Sequence, residues 1–98
     1  MRQAAVRRRI QELQGRASSL RAEIDVLNEQ IEAFDGDVED LRVRAVVSET
    51  PLSAKEFAQA ARHAELAHRA RREARESLAK VEAERDALLG DLVIDVVP

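Results

Sequence analysis

From Val6 onward the apolar residues of this chain recur at alternating steps of four and three: Val6, Ile10, Leu13, Ala17, Leu20, Ile24, Leu27, Ile31, Phe34, Val38, Leu41 and Ala45. An unbroken run of this kind is a heptad seam, and it leaves a helix with one apolar stripe that only another helix buries well. Gly15 and Gly36 both fall at the outward f position. Each weakens helix propensity by about 1 kcal/mol there without touching the seam. One helix over about 3–47 is therefore predicted.

The pattern breaks at Ser48-Glu49-Thr50-Pro51-Leu52. Pro51 disfavours helical geometry at the residue before it and has no backbone N–H to donate. A second start follows, with Ser53 and Glu56 spaced as a capping box and Leu52 and Phe57 spaced as a hydrophobic staple. The four-three rhythm resumes through Phe57, Ala60, Ala64, Ala67, Arg71, Ala74, Leu78, Val81, Arg85, Leu88 and Leu92. Gly90 is a plausible terminator, and the β-branched run after it reads as extended. The expectation is an all-α chain: a two-helix antiparallel coiled-coil hairpin with a short extended C-terminal tail. The boundaries are helix one about 3–47, turn 48–52, helix two about 53–90 and tail 91–98, in a single domain.

A short turn between long helices makes them antiparallel neighbours. Facing layers then pair Leu41 with Phe57, Phe34 with Ala64, Ile31 with Ala67, Leu20 with Leu78 and Ala17 with Val81, so that large residues mostly meet small ones. Charge tests this arrangement separately. Residues 1–21 carry six Arg and one Glu, residues 22–40 eight acids and no base, residues 62–80 six bases and three acids, and residues 81–98 five acids and one base. Folding back sets positive blocks against negative ones. Each exposed pair contributes only about 0–1 kcal/mol, but parallel or slipped pairings place like charges together.

Composition narrows the function classes. With two Phe, no Trp and no Tyr among 98 residues, the chain lacks the bulky side chains of a globular core, and its 36% charged residues suit long helices. There is no Cys, hence no disulfide or thiolate metal site. No run of 18 apolar residues exists and the Arg-rich start has no apolar centre, so a soluble, cytoplasmic protein without a membrane span is expected.

Candidate chemistry is sparse. His63 and His68 flank Ala-Glu-Leu-Ala, but zincin histidines stand four apart on one helix face, whereas these stand five apart on opposite flanks. The acids from Asp35 to Asp40 lack the alternation and terminal Glu of a calcium loop. Arg7-Arg8-Arg9 and the arginines from Arg69 to Arg75 invite a nucleic-acid reading, disfavoured by the net charge of −3 and the missing stacking aromatics. Arg71 and Arg85 at seam positions fix register, reaching past the seam to acids such as Glu23 or Glu12. No catalytic, metal or cofactor site is expected. Two apolar surfaces stand out: the tip formed by Val43, Val46, Val47, Pro51 and Leu52, and the tail formed by Leu92, Val93, Ile94, Val96 and Val97. Packing across the turn is the alternative for the tip, and folding back on Val6 and Ile10 the alternative for the tail.

The run Leu13-Gln14-Gly15-Arg16, followed by Leu20-Arg21-Ala22-Glu23, resembles a segment of the cyclic-di-GMP-dependent anti-sigma factors of actinobacteria. The resemblance covers about a dozen residues and implies a helical hairpin. It also implies a nucleotide site built from Glu, Ser, Arg, Gln and Asp at spacings of 4, 3, 4 and 4. Helix one offers Gln3, Arg7, Ile10, Gln14 and Ser18, keeping the Gln; helix two offers Glu73, Ser77, Lys80, Glu84 and Leu88, keeping the first two with Lys in place of Arg.

These features together point to a non-enzymatic protein–protein interaction module, an adaptor, scaffold or regulator acting through tip and tail. The alternatives are a ligand-responsive regulator such as a cyclic-di-GMP-linked anti-sigma factor and, more distantly, a nucleic-acid-associated helical protein. Helix two contributes only five large seam residues, so a homodimer or a hetero-complex is expected to complete the burial.

Overall fold

The computed structural model describes the backbone of residues 2–96 and the side chains of residues 2–92. It contains two helices and, among the described residues, no strand: α1 over Arg2–Ser48 and α2 over Pro51–Val96. The all-α helical hairpin read from the heptads is the observed fold. Every seam position named above is buried or half-buried. Gly15 and Gly36 lie within α1 with open space around them, as their f positions require.

The connection is tighter than the five residues expected. Only Glu49 and Thr50 separate the helices. Glu49 takes the left-handed conformation (φ 49°) and donates its N–H to the carbonyl of Ala45 at 3.0 Å, which closes α1 in a single-bond αL cap. Thr50 then opens α2. Its Oγ1 accepts the Ser53 N–H at 3.1 Å, while its own N–H donates to Ser53 Oγ at 3.2 Å. The capping box is therefore Thr50 with Ser53, not Ser53 with Glu56. Pro51 explains the shift: at the first helical position its missing N–H has no partner to lose and its fixed φ already suits a helix. Ser53 is buried as a consequence, and Leu52 points outward rather than stapling Phe57.

The extended tail is also corrected. α2 passes through Gly90 and ends at Val96; Gly90 has no positive φ, and a glycine stops a helix mainly by adopting one. Leu88 and Leu92 continue the seam and remain half-buried there, so packing holds the helix past its weak residue. Val97 lies outside the described residues.

The chain divides into two compact units. The unit formed by residues 1–23 and 74–98 has the denser core: Leu13, Ala17 and Val81 are buried, with Leu20, Leu78 and Leu88 packed on them. Arg9 with Glu84 on one flank and Arg21 with Glu82 on the other border this cluster. In the unit 24–73 the buried apolar residues are Ile31, Ala64 and Ala67, while Phe34, Val38, Leu41 and Phe57 stay half-buried. Small residues on α2 bring the helices close but leave the seam open along its flanks.

Candidate functional site

The tip belongs to the unit 24–73. Val43, Val46 and Val47 stand at i, i+3 and i+4 on the last turns of α1, which places them on one outward stripe. Their exposures are 48%, 64% and 78%, and Leu52 at the start of α2 is 65% exposed. Pro51 is exposed beside them. Each of the expected tip residues is exposed, so none of them is buried by packing across the turn. Arg42 borders the stripe and donates from Nε and Nη2 to Glu39 at 3.1 and 2.8 Å, holding that carboxyl below its usual range. Arg44 reaches Glu56 only at 3.9 Å.

The tail residues fare differently. Leu92 is half-buried in the seam, and Val93, Ile94 and Val96 lie on the helical backbone. Strand-edge pairing, which needs extended backbone, does not fit this segment.

Arg71 takes an unexpected partner. Its Nη1 donates to Asn28 Oδ1 at 2.9 Å, its Nη2 lies 3.4 Å from His68 Nδ1, and its Nε is buried without a partner. His68 Nε2 in turn sits 3.0 and 3.1 Å from the two oxygens of Asp35. The tautomer that satisfies both contacts carries its proton on Nε2. Glu23, the acid expected for Arg71, plays no part. Arg85 bonds to the neighbouring Asp86 at 3.1 and 3.0 Å rather than to Glu12. His63 instead lies against Phe34, ring centroids 6.3 Å apart and tilted by 52°. Among the described residues no three His, Cys, Asp or Glu groups gather to hold a metal, and no helix is long and apolar enough to cross a membrane.

Two clefts open on the flank that carries the g positions. One, in the unit formed by residues 1–23 and 74–98, has a volume of about 320 Å³ and is lined by Arg9, Leu13, Arg16, Ser77, Lys80, Val81 and Glu84. Arg9 is held there by Glu84, through Nε at 3.1 Å and Nη2 at 3.2 Å, and by Glu12 at 3.2 Å; these bonds raise its pKa further. The other cleft, in the unit 24–73, holds about 230 Å³ above Phe34, Leu41 and Ala60, with Asp37, Glu56 and His63 at its rim.

Sequence reasoning did not single out Val26 and Leu66, which are 53% and 58% exposed. Both occupy c positions, beyond the g positions that flank the seam, and a heptad inspected only at a and d passes over them. Arg62, Glu65 and Arg69 surround Leu66. A scan of protein-family models and searches of characterised proteins and solved structures returned no match to this chain.

Proposed function

We propose that this chain is a non-enzymatic coiled-coil interaction module whose tip docks a protein partner. The observation that carries the reading is the exposure of Val43, Val46 and Val47 on one stripe of α1, with Leu52 exposed at the start of α2. Burying each would contribute on the order of 1–2 kcal/mol before ordering costs, and a capped two-residue turn presents them with little conformational freedom left to lose. A helical partner with a short apolar stripe fits such a surface. The last turns of α2, with Leu92, Val93, Ile94 and Val96, supply a second apolar segment that engages as a helix. A cytoplasmic setting belongs to the same proposal.

The test compares partners captured from native extract by the chain and by its Val47→Asp and Leu52→Asp variants. Both side chains are exposed, so helicity by circular dichroism should not change. Loss of the same specific partner from both variants is expected. An unchanged set of partners would remove the tip from the account.

One further reading draws support from the 320 Å³ cleft, where Arg16 and Lys80 stand beside Ser77 and three of the five motif positions on α2, Ser77, Lys80 and Glu84, line the wall. Cationic and hydroxyl donors of this kind suit a phosphate-bearing ligand. A ligand-responsive regulator of the cyclic-di-GMP type would show a rise in melting temperature with that nucleotide in excess, since a ligand that binds the folded state stabilises it. No rise at saturating nucleotide would dispose of this second reading.

A further inference from the structure

The face of α1 opposite its seam has a periodicity of its own. In the unit 24–73 its c and f positions run Val26, Glu29, Ala33, Gly36, Asp40, Val43 and Val47, again at alternating steps of three and four, and all seven are exposed. A line with that rhythm follows the helix axis as the buried seam does. Val26 is 53% exposed, Val43 48% and Val47 78%. Val26 precedes Val47 by three heptads, roughly 30 Å along the axis at 1.5 Å per residue. The valines of the tip are thus the end of a longer apolar stripe, interrupted by Glu29 and Asp40.

Carboxylates surround that stripe. Asp25 and Glu32 at b positions border it, Glu29 and Asp40 lie in it, and all four are exposed without an ion pair among the described residues. No Lys or Arg occurs from residue 22 to residue 41. The cations of α2 do not answer these acids, because pairing through the a and d seam turns the c and f face of α1 away from α2. Asp25 with Glu29, and Glu29 with Glu32, also stand at spacings where like charges weaken a helix. An exposed apolar line therefore runs through a negative field, and one kind of occupant relieves both.

We propose that this stripe docks a basic amphipathic helix of another protein, which sets apolar residues at four-three spacing against Val26, Ala33, Val43 and Val47 and Lys or Arg against Asp25, Glu29, Glu32 and Asp40. The inference rests on the tip reading, which it extends along α1 and to which it adds the charge of the partner. Periodicity selects a helix, since a helical partner keeps step with a four-three line over about six turns. Unanswered carboxylates select its sign.

The test is fluorescence anisotropy of two synthetic four-heptad peptides titrated with the full chain, both with Leu at a and d, one with Lys and the other with Glu at e and g. The Lys peptide should bind and the Glu peptide should not. Val26→Asn should weaken Lys-peptide binding at least about tenfold in Kd with helicity unchanged, since the side chain is exposed and the two residues have similar helix propensity. Raising NaCl from about 0.05 M to about 0.5 M should weaken it as well, because exposed charges are screened. Glu29→Lys combined with Glu32→Lys and Asp40→Lys should transfer binding from the Lys peptide to the Glu peptide, an exchange that a structural defect does not produce. Equal binding of the two peptides, a Kd unmoved by Val26→Asn, or a helical triple variant that gains no Glu-peptide binding would each overturn the proposal. The capture experiment keeps it distinct from the tip reading: a partner lost with Val47→Asp and Leu52→Asp but retained with Val26→Asn leaves the tip in place and removes the stripe. A second copy offers Leu66 between Arg62 and Arg69 on α2. Self-association of the full chain that Val26→Asn abolishes would give the stripe to that surface and overturn the proposal of a separate partner.

Discussion

Leu13 and Gly36 show how unequal positions on one helix are. Leu13 is 2% exposed in the densest part of the core, whereas a methyl group added at Gly36 meets nothing within 4 Å. Leu13→Ala should therefore lower unfolding stability by about 2–4 kcal/mol, since a two-helix core has few neighbours able to collapse into the space. Gly36→Ala should raise stability by up to about 1 kcal/mol from helix propensity alone. Urea denaturation followed at 222 nm measures both, and a Gly36→Ala variant less stable than the parent would contradict an outward, helical position. Glu49 is the one described non-glycine residue with a positive φ, and a side chain there is held in place only by the cap it completes.

At the scale of elements, the cap on α2 and the arginine in its seam carry the sharpest consequences. Thr50→Ala removes the acceptor for the Ser53 N–H and should cost about 1 kcal/mol, more than Glu56→Gln, whose side chain does not take part in the cap. Arg71→Leu should increase stability, because a half-buried guanidinium with one unpartnered nitrogen gives way to an apolar seam residue. A clear loss in denaturant midpoint would instead show that the bonds to Asn28 and His68 outweigh that desolvation. Both helices and their turn were legible in the sequence because the heptads are unbroken and Pro51 punctuates them. The exact cap was not, since Thr50-Pro51-Leu52-Ser53 and Ser53-Ala54-Lys55-Glu56 both have capping-box spacing, and the choice rests on what Pro51 permits. Helix continuation beyond Gly90 was missed for a related reason: local propensity favoured a stop, while seam packing by Leu88 and Leu92 favoured continuation. The tip was readable as an apolar cluster off the heptad, but Val26 and Leu66 stood out only once exposure was known.

For the molecule as a whole, both surface proposals depend on one premise: α1 and α2 of the same chain pair antiparallel in the heptad register. That pairing turns Val47 and Leu52 outward at the tip and leaves acidic and basic helices with unmatched outer faces. It is also what places Ile31 and Ala67, both buried, in one layer of the unit 24–73. The chain has no cysteine of its own, so a pair introduced as Ile31→Cys and Ala67→Cys reports on that layer alone. Disulfides form only between residues whose Cα atoms lie within about 7 Å, which makes the reaction sensitive to a slip of even one heptad layer. The most direct measurement is intact-mass and reducing versus non-reducing peptide analysis of this double variant, oxidised mildly at high dilution. The account predicts a disulfide within single chains in nearly all molecules. Links found only between chains, or free thiols surviving oxidation, would contradict the hairpin and the surfaces derived from it.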